Sequence, residues 1–308
     1  MAPTILVTSF TGVLGGSVLS TLQRSRKGVE FRRAAYDDFN SLLEVFHGIK
    51  KLFLVSTNTF DNEKRTIQYR NVIEAAKQTG VGYVSPAHIR DQSTKANPQP
   101  RSTTAPSPSS AVHPPPKSPF NKQHLATEAM LASSGLRYTS VREGVYAEAF
   151  PLFLNWYPST RELFLLADGP IAYTCRAKLG EATAKLMLRD NHQFPDSIKL
   201  LTGPKASTFA EIVEAINKAS KRDVTIHCVS GEGYVAKNAT DDEGKKPKAF
   251  FEAWKGVFEG GAKGEAETVD PLLEELLGRR PKDGVQVVEE LLRKDQEYTW
   301  HQNYFTSM

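Results

Sequence analysis

Residues 7–16 read VTSFTGVLGG, an apolar run that passes through Thr8 and Ser9 into a glycine-bearing turn. A dinucleotide-binding loop asks for a tight first turn, close backbone approach to a pyrophosphate, and close packing of helix on strand, each normally met by a glycine. Gly12 and Gly15 hold the second and third places, and Ser9 holds the first. At a position of positive φ a serine costs on the order of 1 kcal/mol. Helix-start amides at Val13 and Leu14 would still face an anion. The phosphate-binding candidates are therefore Thr8, Thr11, Gly12, Val13, Leu14 and Gly15. A helix start capped by Thr11, with its glycines used for packing alone, accounts for the same letters.

The elements that must carry this loop follow from hydrophobic period. Short runs rich in Val, Ile and Leu alternate with segments of helical period, which is the pattern of a parallel sheet covered by helices. Strands are expected at 4–8, 29–34, 51–56 and 83–85, with helices at 12–23, 39–46 and 61–78, the last ended by Gly80. The link from Arg24 to Val29 suits an ordinary helix-to-strand turn. Residues 29–34 are thus expected beside the first strand and 51–56 on its other side, in the order 2-1-3-4-5. Asp37 then falls just past the second strand, where an acid bonds a ribose 2′-hydroxyl and favours NAD(H).

Further along, a helix at 124–133 leads to a strand at 138–142, and an aromatic region with Phe150, Phe153, Trp156 and Tyr157 follows. These rings suit an apolar substrate cleft or a core equally. Later helices are expected at 172–188, 208–220 and 270–293, with strands at 198–201 and 224–228. The organisation expected is a Rossmann-like α/β domain over 1–150 and a smaller α/β substrate or partner domain over 151–308.

Residues 91–121 hold eight of the 18 prolines, many Ser and Thr, and almost no large apolar side chains. Such a stretch buries too little surface to offset its ordering entropy, so it is expected as a disordered insertion. Limited proteolysis should cut there first; resistance there with earlier cuts elsewhere would reject this.

Composition narrows the function classes. The net charge of +4, from 39 basic and 35 acidic residues spread along the chain, makes no concentrated basic face for nucleic acid. Two cysteines, Cys175 and Cys228, are too few for a disulfide framework, and no Cys/His cluster has metal-ligand spacing, so no metal is expected. No run reaches the roughly 18 apolar residues of a membrane span, and MAPTILVTSF lacks a basic lead into such a run. A cytoplasmic protein acting on a small molecule is the expectation.

Taken together, TSFTGVLGG, GVEFRRAAYDD, KKLFLVSTN, RNVIEAAKQTGV, HLATEAMLASSGLRYTSVREGVYAEAF, DGPIAYTCRAKLGEATAKLML and LLTGPKASTFAEIVEAIN fall in the order of NmrA-like proteins. The chain resembles this family of atypical short-chain dehydrogenases over most of its length, and looks like its NAD(P)H-dependent quinone and triphenylmethane reductases. The resemblance implies NADP(H), a quinone-like or conjugated carbonyl substrate, and a Rossmann domain with a small C-terminal domain. It nominates Ser56, Thr57 and Asn58 beside the cofactor ribose and phosphates. It also implicates His124, Arg142, Gly144, Tyr146 and Glu148 in the nicotinamide and substrate cleft, Arg142 on the cofactor, while Phe150 is a substrate-side candidate from the aromatic region; a helix-start carboxylate, a core tyrosine and an exposed helix-start histidine are the plain alternatives for Glu148, Tyr146 and His124. His124 or Lys122 is the candidate proton donor.

Three departures stand out. The family loop reads TGATGxxG, which Ser9 and Phe10 break. No Tyr-x-x-x-Lys pair occurs, so the usual general acid of short-chain dehydrogenases is missing. After the first helix the family has a further strand ending in basic residues for the 2′-phosphate of NADP, whereas here Arg24 leads straight to Val29, and about one βα unit is absent. Arg32 and Arg33 remain as phosphate partners. A non-catalytic dinucleotide sensor or protein-binding regulator, or a degenerate member without cofactor binding, is the alternative to the reductase.

Overall fold

The computed structural model describes residues 4–25, 28–57, 59, 61–89, 119–189, 197–240 and 242–300; the side chains of 119–124 are not among the parts described. The expected insertion at 91–121 lies outside them, except that 119–121 already belong to a helix.

Five parallel strands form the main sheet: β1 (Ile5–Val7), β2 (Lys51–Val55), β3 (Tyr83–Ile89), β4 (Thr139–Glu143) and β8 (Ser197–Leu201), in the order β1-β2-β3-β4-β8. Alternation along each strand sends successive side chains to opposite faces. Phe53, Tyr83, Ala87 and Val141 face the helices α1 (Val13–Ser25), α6 (Arg176–Leu188) and α10 (Leu272–Leu277), with which they share one core. Leu52, Leu54 and Val84 face the other way, toward α2 (Phe39–Phe46), α3 (Asn62–Gln78) and α4 (Pro119–Ser134). The result is a three-layer Rossmann-like α/β fold. On the first face α6 lies so close to α1 that a Cβ on Gly180 would fall 2.5 Å from the Ser17 Cβ.

Caps set the helix starts. Asp38 accepts from the Ser41 amide, and Asp61 from the amides of Glu63 and Lys64. Thr208 and Glu211 form a capping box on α7 (Phe209–Ser220). The single helix expected at 270–293 is two, α10 and α11 (Gly284–Lys294), because Gly278 turns left-handed at φ 70° after α10.

The strand expected at 29–34 does not form, and this corrects the order 2-1-3-4-5. Residues 28–35 pair with no strand among those described, and β1 is an edge of the sheet. A parallel strand needs cover on both faces. Here Val29 and Phe31 stay exposed, at 42% and 64%. The Arg32 guanidinium instead donates to the carbonyls of Val45 and His47 at the end of α2. That contact holds the segment off β1 across a cleft of about 1340 Å³, walled by Ile5, Val7, Leu22, Phe31, Val45 and Phe46 among others. This gap lies where a strand beside β1 would run.

The second core gathers the aromatic region. It joins α5 (Phe150–Leu154), the parallel pair β6 (Glu162–Leu165) and β9 (Thr225–Cys228), α7, α8 (Gly231–Ala239), α9 (Lys248–Ala262) and α11. Phe150 is 1% exposed and packs on Trp156 at 5.2 Å between ring centroids. Of the two roles open to these rings, the core is the one that the fold uses. A buried cluster pins the loop before α9: the Lys246 Nζ donates to the Tyr157 hydroxyl and to Asp242 Oδ1, the latter at 2.8 Å. Short strands β5 (Val145–Tyr146) and β7 (Tyr173–Thr174) pair in parallel between the two cores, and Tyr146 packs against both.

Candidate active site

In a parallel sheet the crevice outside the carboxyl ends of the strands takes the ligand. Five segments reach that end here: the loop after β1, the turn after β2, the last residues of β3 and β4, and β5.

The loop after β1 has the tight turn that the sequence called for. Ser9 lies at φ 50°, the left-handed conformation, and its carbonyl accepts the Gly12 amide at 3.0 Å. Gly15 sets the approach of α1 to this loop. A Cβ there would fall 2.5 Å from the Ser9 carbonyl oxygen and 2.9 Å from its carbon. At Gly12 the nearest protein atom to such a Cβ is the same oxygen at 3.4 Å, an ordinary contact that leaves its other side open. The amides of Val13, Leu14 and Gly15 begin α1 and have no carbonyl one turn back within the helix. Val13 is 47% exposed, so this end of the helix is open to solvent and to an anion. Thr11 is exposed beside it. The Thr8 hydroxyl has a structural use, accepting the Val55 amide at 2.8 Å and so locking β1 to β2.

The turn after β2 is tied down. Ser56 donates its hydroxyl to the Ala87 carbonyl at 2.7 Å, and Arg65 donates to the carbonyls of Thr57 and Thr59. Asn58 lies outside the described residues. Asp37 follows no strand. It accepts from Gln68 Nε2 at 2.9 Å and sits 3.7 Å from the Lys64 Nζ, on the side of α3. The geometry behind an NAD(H) preference is therefore absent. Arg33, by contrast, is exposed on the wall of the cleft that also contains Thr8, Ser9 and Thr11.

On β4, alternation separates two sets of polar residues. Ser140 and Arg142 point toward α4, where Glu128 receives both: Ser140 Oγ at 2.8 Å, Arg142 Nε at 2.9 Å and the second Arg142 nitrogen at 2.6 Å. His88 Nε2 stands 3.2 Å from the same carboxylate. Burial by itself pushes the Glu128 carboxyl up, but the hydrogen bonds and charges of Arg142 and His88 outweigh it and hold the group far below the usual carboxylate range. Arg142, nominated for the cofactor, thus spends its guanidinium inside a buried ion pair and is 4% exposed. Phe150, nominated for the substrate, is in the core.

Val141 and Glu143 point the other way, to the face that α1 covers. Glu143 is fully buried and accepts the Tyr146 hydroxyl at 2.5 Å. Burial pushes the Glu143 carboxyl up to about 7, with the Tyr146 hydrogen bond opposing only part of that rise. Gly144 is needed between them, since a Cβ there would meet Thr174 Oγ1 at 2.4 Å. Glu148, also nominated for the substrate, accepts the Arg176 amide at 3.0 Å and so caps α6. The side chains of Lys122 and His124 lie outside those described.

Sequence reasoning missed Glu143 and the Glu128–His88 contact. A carboxylate at the last position of the strand TSVRE, at the carboxyl end of the sheet, was the available signal for Glu143. No spacing could pair His88 with Glu128, forty residues apart. Among the described residues no group of His, Cys, Asp and Glu could hold a metal ion, and no helix is long and apolar enough to cross a membrane.

No protein-family model matches the chain. It is 36% identical over 321 aligned positions to an NmrA-like family domain-containing oxidoreductase, flvB, of Aspergillus flavus, covering 97% of this chain and 98% of that one. The alignment is longer than the chain, as it must be where the relative carries residues that this one lacks. The fold superposes on an NADPH-dependent quinone oxidoreductase of Escherichia coli complexed with NADPH, with a TM-score of 0.75, 24% identity, and coverage of 94% of this chain and 100% of that one. A triphenylmethane reductase of Citrobacter sp. superposes with a TM-score of 0.75 at 22% identity, over 94% of this chain and 99% of that one.

Proposed function

This chain belongs to the NmrA-like family of oxidoreductases, and from that premise we propose that it is an NADPH-dependent reductase of a quinone-like or other conjugated carbonyl compound. The observation that carries the reading is the loop after β1. Ser9 has taken the left-handed turn, Gly15 the close packing, and Gly12 and the amides of 13–15 remain open where a pyrophosphate would lie. The residues that would hold the dinucleotide are Thr11, Gly12, Val13, Leu14 and Gly15. Thr8, Ser56, Thr57 and Arg142 support this site through the backbone and through buried pairs. When bound, NADPH supplies a hydride.

NADPH is favoured over NADH by the cleft beside β1. Arg33 is exposed on its wall, and Asp37 is turned toward Lys64 and Gln68, where it does not oppose a 2′-phosphate. Arg33→Ala is expected to weaken NADPH about tenfold, the loss of one charged hydrogen bond of about 1.5 kcal/mol, and to leave NADH unchanged. Titration of nucleotide fluorescence with each cofactor measures this. Equal effects on the two would remove Arg33 from the phosphate.

Substrate would meet the crevice beside Tyr146, between the two cores. NADPH titration of the purified chain, followed by oxidation of NADPH with a simple quinone, tests the reading. Binding with turnover sustains it. Binding without turnover would make the protein a dinucleotide sensor, and absence of binding in a cooperatively melting protein would reject both.

A further inference from the structure

The family's usual Tyr and Lys general acid has no counterpart in this sequence, yet transfer of a hydride to a carbonyl leaves an oxygen that must gain a proton. From the geometry at the end of β4 we infer that Tyr146 and Glu143 form a proton relay for the reduction, Tyr146 giving its hydroxyl proton to the substrate oxygen and Glu143 restoring it. This inference rests on the reductase reading above and identifies the source of its proton.

Four observations support it. Glu143 ends β4 on the face that α1 covers, at the same end of the sheet as the glycine loop. Its carboxyl is fully buried, with Oε2 at 2.5 Å from the Tyr146 hydroxyl and Oε1 without a hydrogen-bond partner among the described residues. A structural carboxylate at such depth is ordinarily met by several donors or by a cation, as Glu128 is on the opposite face. Here it has one tyrosine. Tyr146 is half-buried and packs against both cores, at the seam between them. Two further buried atoms close by, Thr174 Oγ1 and Arg176 Nε, also lack partners. Thr174 abuts Gly144 and pairs through its strand with Tyr146.

The surroundings of the pair favour a neutral acid. Burial raises Glu143, and burial together with the Glu143 and Glu148 charges raises Tyr146, while Arg176 opposes that rise. Arg176 is drawn aside, its guanidinium lying 4.0 Å over the Trp300 ring. Glu148 is held by the Arg176 amide. In the step itself, the substrate carbon takes the hydride with its electron pair from the reduced nicotinamide and the carbonyl π bond breaks toward oxygen. That oxygen takes the Tyr146 proton while the neutral Glu143 acid donates along the same 2.5 Å contact, so that Tyr146 takes the Glu143 proton. The resulting carboxylate is reprotonated from water. Glu143 acts through Tyr146 and is a positioning and proton-supplying residue; Tyr146 is the group that touches substrate.

The test uses the full chain. Infrared spectroscopy of the wild type without nucleotide should show one buried carboxylic acid that titrates near pH 7 and is lost in Glu143→Gln. With saturating NADPH and a quinone, kcat should fall on the alkaline side of that pH. Glu143→Gln and Tyr146→Phe should each lower kcat about 100-fold and flatten the alkaline limb, with the NADPH Kd unchanged. Glu143→Asp should restore part of the rate and the limb. A Glu143→Gln enzyme with wild-type kcat and pH profile, or a carboxyl that titrates at the ordinary value, would overturn the relay while leaving the reductase reading intact. Absence of NADPH binding by the wild type would overturn both. Should Glu143→Gln fail to fold, the wild-type pH profile and Tyr146→Phe decide the matter by the same criteria.

Discussion

Glu128→Ala is expected to destabilise the fold by about 3–5 kcal/mol, because it leaves the Arg142 guanidinium buried without its counter-charge. Arg142 is 4% exposed and Glu128 7%, so water cannot replace the lost partner without opening the sheet face. Ser140 loses an acceptor at 2.8 Å in the same change. The effect carries a pH signature. The folded-state pKa of Glu128 is depressed, so its stabilisation is complete above the unfolded carboxyl value of about 4.3 and is lost as pH falls through the lower folded value. Urea denaturation of wild type and variant should show the full gap near neutrality, and a narrowing gap only in acid. A loss below about 1 kcal/mol at neutral pH would mean that the pair is effectively solvated. The same result would return Arg142 to the list of groups available to a cofactor.

Gly15→Val is expected to remove dinucleotide binding. The added Cβ would press on the Ser9 carbonyl at 2.5 Å, and neither backbone can yield without lifting α1 off the loop. An affinity loss of on the order of 100-fold, about 2.7 kcal/mol, follows from losing the aligned amides together. Gly12→Ala is the informative companion. Its Cβ meets protein only at 3.4 Å, so the melting temperature should hold while NADPH binding weakens, which assigns that loss to the ligand. Ser9→Gly acts in the opposite sense, relieving a left-handed serine at φ 50° and returning about 1 kcal/mol. Calorimetric titration alongside thermal melts separates these effects. Wild-type NADPH affinity in Gly15→Val would place the cofactor elsewhere.

Local signals carried much of the fold. The apolar run at 51–55, the helices at 39–46 and 62–78 and the glycine loop are set by period, caps and turn chemistry, all of which act within a few residues. The left-handed conformation of Ser9 was also legible, because the loop pattern demands it whatever residue is there. The segment at 29–34 was misread for an equally physical reason. It has the composition of a strand, but a strand's stability comes from neighbours and cover that composition does not contain. With no helix to cover Phe31, and with Arg32 satisfying the carbonyls at the end of α2, the segment stays off the sheet.

The sites divide in the same way. The sequence by itself determined the glycine loop after β1, since its residues are contiguous and its shape is backbone-driven. It also determined the alternation that sends Ser140 and Arg142 to one face of β4 and Glu143 to the other. Only the tertiary structure decided what each of them meets. Arg142 finds Glu128 across the gap from β4 to α4, and Glu143 finds Tyr146 and no second hydrogen-bond partner among the described residues. Phe150 turns into a core assembled from helices a hundred residues later. A charge becomes a buried counter-ion, a helix cap or a proton donor according to its partner and its access to water, and both are set by long-range packing that no spacing in the chain records.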